Sequence, residues 1–160
     1  MARVGIWERR EGFFEAVEER RAALDLPRPK YVRGEHPADF GEEGLDLLCV
    51  SPAAVGWAGA GYIHARTVLL CGAAAPLARH LHAASAVSYG PSARDTLTIS
   101  SLEGSQLCAA LQRELVTVQG RVVERQELVL PFDPTSSPLL KLAQVGALLL
   151  LGAAPEQLMM

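Results

Sequence analysis

The chain has 160 residues, enough for one domain with a substantial core, and its 49% hydrophobic and 21% charged residues exclude a disordered protein. A formal net charge of −3, with no interleaved aromatic and basic residues to offset it, excludes a nucleic-acid module. Arg3, Arg9, Arg10, Arg20, Arg21, Arg28, Lys30 and Arg33 crowd the start. Glu8, Glu11, Glu15, Glu18 and Glu19 alternate with them, which predicts a solvated helix face rather than a polyanion site.

Val4–Trp7 reads as a short first strand. Phe13, Phe14, Val17 and Leu24 then recur at helical spacing, and Pro27 and Pro29 end that helix. Tyr31-Val32 is a brief second strand before the turn-rich segment 34–44. Leu45–Val50, Thr67–Cys71 and Ala86–Tyr89 are short apolar runs bounded by Gly, Ser or Pro, the pattern of strands covered on both faces of a parallel sheet. Between them lie the Ala/Gly-rich stretch 53–65 and a helix-like stretch, 75–84.

The period then changes. Thr96–Ser100 alternates strictly, Glu103-Gly104-Ser105 turns, and Leu107–Val118 reads as a longer strand; Gln119-Gly120 turns the chain into Arg121–Leu130. The expectation is a single α/β domain: a β-α-β-α-β part (1–92), an antiparallel β-meander (93–132) and a C-terminal helix (138–158). The mostly parallel sheet is expected to form three layers with its helices. The last helix is apolar almost all round, which points to partial cover by a second chain and hence a homo-oligomer. Lys141, Gln144 and Gly146 interrupt it, and it is shorter than the roughly 20 residues of a membrane span.

Cys49, Cys71 and Cys108 lie far apart inside apolar runs, with no C-x-x-C pair, and are expected to be structural thiols in a reducing compartment. Residues 1–7 contain no long apolar stretch, so no signal peptide is expected. The localisation expected is cytoplasmic, with no membrane contact.

Three segments resemble the second half of the central domain of the Mur ligases, the ATP-dependent peptidoglycan ligases. They are Val68–Gly72 followed by Pro76-Leu77-Ala78, then Ala86–Gly90 leading into Asp95–Ser100, and finally Leu139–Ala147 with Leu151–Leu158. The resemblance covers about half of the chain. It implies a phosphate loop with Gly-Lys-Thr, whose amides cradle phosphates while lysine balances their charge. Here the first strand runs into Glu8-Arg9-Arg10-Glu11-Gly12, and no Gly-Lys-Ser/Thr occurs. Ser51-Pro52-Ala53-Ala54 stands where the family's Asp-His pair is implied. The chain therefore looks like a relative without ATP chemistry, and no cofactor is expected.

Other constellations are weak. Gly56, Gly59 and Gly61 are spaced in the reverse of a dinucleotide fingerprint and predict a small-residue loop, with Trp57 and Tyr62 as a lid or partner patch. His80 and His82 lack the i,i+4 spacing of helical zinc ligands, so no metal site is expected. No G-x-S-x-G elbow occurs. Trp7, His36, Ser51 and Gly72 fall near strand ends, the ligand edge of an open parallel sheet, and Arg94 with Arg113 would make an anion site if they lay on facing strands. The leading expectation is a non-catalytic binding or interaction protein. The alternative is a small-molecule-binding protein or small enzyme with its site at that edge.

Overall fold

The computed structural model describes residues 1–160. In chain order it contains β1 (Arg3–Trp7), α1 (Phe13–Ala23), β2 (Lys30–Gly34), β3 (Leu45–Val50), β4 (His64–Cys71) and β5 (His82–Tyr89). There follow β6 (Leu97–Glu103), β7 (Gln106–Leu111), β8 (Leu115–Val116), β9 (Val122–Val123), β10 (Gln126–Pro131), α2 (Pro138–Leu151) and α3 (Pro155–Leu158). Eight strands form one sheet in the order β10-β7-β6-β5-β4-β3-β1-β2, and β8 and β9 make a separate hairpin. Strands β1 to β5 pair in parallel, and β6 joins through the pair Tyr89–Leu97. β7 is antiparallel to both β6 and β10.

The expected α/β fold is therefore present, with its meander as β6, β7 and β10. That meander extends the parallel sheet edge to edge rather than lying on it. Three expected elements differ. The C-terminal helix expected over 138–158 stops at Leu151, where Gly152 takes a left-handed conformation, and Pro155–Leu158 forms a separate short helix. The long strand over 107–118 stops at Leu111, because the chain leaves the sheet to form the β8–β9 hairpin around Gln119-Gly120. The helix expected over 75–84 is a 3₁₀ helix, Gly72–His80, that buries none of its residues. Pro76 removes a backbone donor there. Pairing with β4 from His64–His82 onward draws residues 82–84 into β5, so ladder hydrogen bonds override the helix propensity of alanine.

The sheet has two unlike faces. On one, α1 and α2 pack over a core that includes Val4, Ile6, Leu47, Cys49, Leu69, Val87 and Leu97. On the other, the 3₁₀ segments Pro37–Phe40 and Trp57–Tyr62 help cover a smaller core of Trp7, Phe40, Leu48, Val50, Val68 and Leu70. This second cover runs out at β5, where Ala84 and Ala86 are exposed.

α2 starts at Ser137, whose hydroxyl accepts the Leu140 amide at 3.2 Å, with Pro138 in the first turn, where no donor is needed. Its other end is closed by the β8–β9 hairpin. Val118 N donates to Leu150 O at 2.9 Å and Gln119 Nε2 to Leu151 O at 2.9 Å, pairing carbonyls the helix leaves free. Leu142, Ala143 and every residue from Val145 to Leu151 are buried within this one chain, which leaves little of the helix for a second chain to cover. No helix is long and apolar enough to cross a membrane.

Leu149 is fully buried under the sheet. Leu149→Ala should lower the unfolding free energy by about 3 kcal/mol, read as a lower urea midpoint at unchanged m. A loss under about 1 kcal/mol contradicts this packing.

Candidate functional site

In a doubly wound sheet, ligands bind beyond the carboxyl ends of the strands where the strand order reverses. Here that point lies between β1 and β3. The two strand ends are joined directly, Ser51 N donating to Trp7 O at 2.9 Å. After Trp7 the chain turns through Arg10 and Gly12, both at positive φ, into α1.

Glu8 occupies the space between strand end and helix start. One carboxylate oxygen accepts the amides of Glu11 and Phe13, each at 3.1 Å, and the other accepts Phe14 N at 2.8 Å. The side chain is almost completely buried. A helix N-terminus presents unpaired amides and a partial positive charge, which is why phosphates settle there; here the chain's own carboxylate does so.

Glu11 closes the crevice from above. Its carboxylate accepts the Ser51 hydroxyl, Ala53 N at 3.2 Å and Arg9 N at 3.3 Å, so the turn after β1 is laced to the turn after β3. Ser51 is thus bound to a carboxylate with no imidazole beside it, an arrangement that does not form a Ser–His nucleophile pair.

A third carboxylate fills the ends of β4 and β5. Asp95 is buried, and a Cβ on Gly72 would overlap its Oδ1 while one on Gly90 would lie 2.6 Å from its Oδ2. Only glycine fits at both positions. Asp95 Oδ2 accepts Ser92 N at 3.1 Å, and its carbonyl accepts Gln112 Nε2 at 2.7 Å. Beneath this edge the buried Tyr89 hydroxyl donates to Val50 O at 2.6 Å; burial raises its pKa well above the usual phenol range.

The residues expected at the site are distributed along this edge. Trp7 and Ser51 meet through their backbones, and Gly72 stands apart against Asp95. Trp7 is fully buried: its Nε1 donates to Glu35 O at 3.1 Å, and its ring lies 4.7 Å from Trp57 and 6.3 Å from Phe40. His36 is exposed beside it, at the start of the Pro37–Phe40 turn, where the Asp39 carboxylate accepts its amide at 3.1 Å. Arg94 and Arg113 do come together, but on loops rather than facing strands. The Arg113 guanidinium donates to Arg94 O at 2.5 Å and to Thr96 Oγ1 at 3.2 Å, so it is already engaged by the protein. Trp57 packs on Trp7 from a 3₁₀ helix, whereas Tyr62 is exposed.

The carboxylates of Glu8, Glu11 and Asp95 were not among the expected site residues. Glu8 carried one local signal, an acidic residue just before Gly12 and an amphipathic helix. Asp95 carried none, because its packing against Gly72 joins positions far apart in the sequence. A cleft of about 690 Å³ lies beside this edge between the ends of β1 and β2 and the start of α1. Its charges are paired internally, Arg33 with Glu15 at 3.2 Å and Arg10 with Glu35 at 3.6 Å, and Ile6 alone is apolar. Burial raises the Cys49 thiol above its usual range, so it is not a poised nucleophile.

No protein-family model matches the chain, and no curated protein sequence matches it. Among solved structures it is similar to a UDP-N-acetylmuramoylalanyl-D-glutamyl-2,6-diaminopimelate--D-alanyl-D-alanyl ligase from Acinetobacter baumannii, with a TM-score of 0.63 and 10% identity. That similarity covers 99% of this chain and 45% of the ligase, so the chain spans less than half of the ligase's length. The fold is thus α/β and Mur-ligase-like.

Glu8→Ala should cost about 1–2 kcal/mol of stability by leaving the α1 amides unpaired, measured by urea denaturation. An unchanged midpoint contradicts the capping role. In the native protein Cys49 should resist iodoacetamide while the half-buried Cys108 reacts, as read by peptide mass spectrometry.

Proposed function

We propose that this chain is a Mur-ligase-like domain that acts by binding or interaction and has no ATP chemistry. The observation that carries this reading is the Glu8 carboxylate on the amides that open α1. A phosphate at that position would have to displace three hydrogen bonds to a charged group, each worth about 1.5–3 kcal/mol. If Glu8 stayed, two like charges about 4 Å apart would repel by roughly 1–4 kcal/mol. Neither Glu8-Arg9-Arg10-Glu11-Gly12 nor the segment after β3 supplies a lysine or a magnesium-binding hydroxyl in the pattern that nucleotide phosphates require. Glu11 on Ser51 and Asp95 against Gly72 support the same reading, since each fills an edge position where a ligand would sit. Three free cysteines suit a reducing cytoplasm.

A second reading, a small-molecule-binding protein or small enzyme, is favoured by the 690 Å³ cleft, whose volume lies within the usual range for ligand sites. Its lining by charged and polar residues, with Arg33 paired to Glu15 and Arg10 to Glu35, favours an interaction role instead.

The deciding experiment is equilibrium binding of Mg-ATP together with phosphate release by the purified protein. The expected result is no saturable binding and no turnover. Robust magnesium-dependent hydrolysis defeats the proposal, and a rise in Tm with one member of an amino-sugar or amino-acid panel favours the second reading.

A further inference from the structure

At the end of the sheet opposite the sealed edge, His64 opens β4 and His82 opens β5. The two are register partners in a parallel pair. Neighbouring strands lie about 4.8 Å apart, so side chains at paired positions on one face stand side by side. The two imidazoles do so, with ring centroids 4.5 Å apart and planes 11° from parallel, and both residues are exposed. They stand at the amino ends of these two strands, next to Arg66, which is held in an ion pair with Asp46.

We propose that His64 and His82 form a two-histidine site for a divalent transition-metal ion of the nickel, copper and zinc class. Neutral imidazole is a preferred ligand for these ions, with metal–nitrogen distances of about 2.0–2.1 Å. Two such bonds at a tetrahedral angle place the nitrogens about 3.4 Å apart and need the two ring planes to converge on the ion, so both rings must turn out of the stack, a change open to side chains that are exposed to solvent. Both residues sit in a hydrogen-bonded ladder, and His82 N also donates to Ile63 O at 3.0 Å. Chelation therefore orders two side chains and no backbone. No third histidine, cysteine or carboxylate completes a protein cage, so water fills the remaining positions and the site is open. Asp46 is engaged by Arg66 and by the Arg3 amide at 2.8 Å, which keeps it from serving as a ligand. This site is independent of the reading proposed for the opposite edge.

The test is calorimetric titration of the tag-free full chain with nickel chloride at about pH 7.5. One ion per chain is expected. His64→Gln and His82→Gln should each weaken binding about a hundredfold by removing the chelate. His36→Gln and His80→Gln should leave it unchanged. Both test positions are exposed, so folding, checked by circular dichroism, should be unaffected. Absence of saturable binding up to millimolar nickel overturns the proposal. So does binding that both His64→Gln and His82→Gln leave intact.

Discussion

The start of α1 is the constraint on which the sealed edge depends. A helix that begins beneath the carboxyl ends of a parallel sheet directs unpaired amides and a positive pole at the space where ligands enter. Something anionic is stabilised there, and Glu8, the first residue after β1, supplies it. The same carboxylate accepts the Glu11 amide and so fixes the backbone from which the Glu11 side chain reaches Ser51 and Ala53. The closure of the crevice is therefore a sequence of dependent contacts, each set by the one before it. Asp95 closes the neighbouring strand ends by a different means, a buried carboxylate lodged against two glycines.

A sheet held by apolar pattern and a loop edge held by polar contacts change at different rates under substitution. The core tolerates any sequence that keeps volume and alternation, whereas the chemistry of an edge is lost with one or two side chains. A chain only 10% identical to the Acinetobacter baumannii ligase can therefore resemble its fold over 99% of its own length while carrying glutamates after the first strand.

The two faces of the sheet differ for a related reason. α1 and α2 bring long apolar side chains to one face and bury it thoroughly. The opposite face is covered by three 3₁₀ segments, in which alanine and glycine predominate over 57–62 and 72–80, and its core is smaller. His64 and His82, the first residues of β4 and β5, remain in water side by side.

What the sequence determined by itself is everything written in short-range periodicity. The apolar runs of β1, β3 and β4, the helical spacing of Phe13 and Val17, the alternation after Thr96 and the apolar length of α2 each reflect one element meeting one core, and each is visible within a few residues. Tertiary structure decided what depends on partners far along the chain. Whether 82–84 is helix or strand is settled by the backbone of β4, and whether the meander stacks on the sheet or extends it is settled by the Tyr89–Leu97 pairing. Asp95 against Gly72, Glu11 on Ser51 and His64 beside His82 join residues 18 to 40 positions apart. A hydrogen bond or a ring contact has no period, so no local pattern announces it; it exists only once the strands have taken their places.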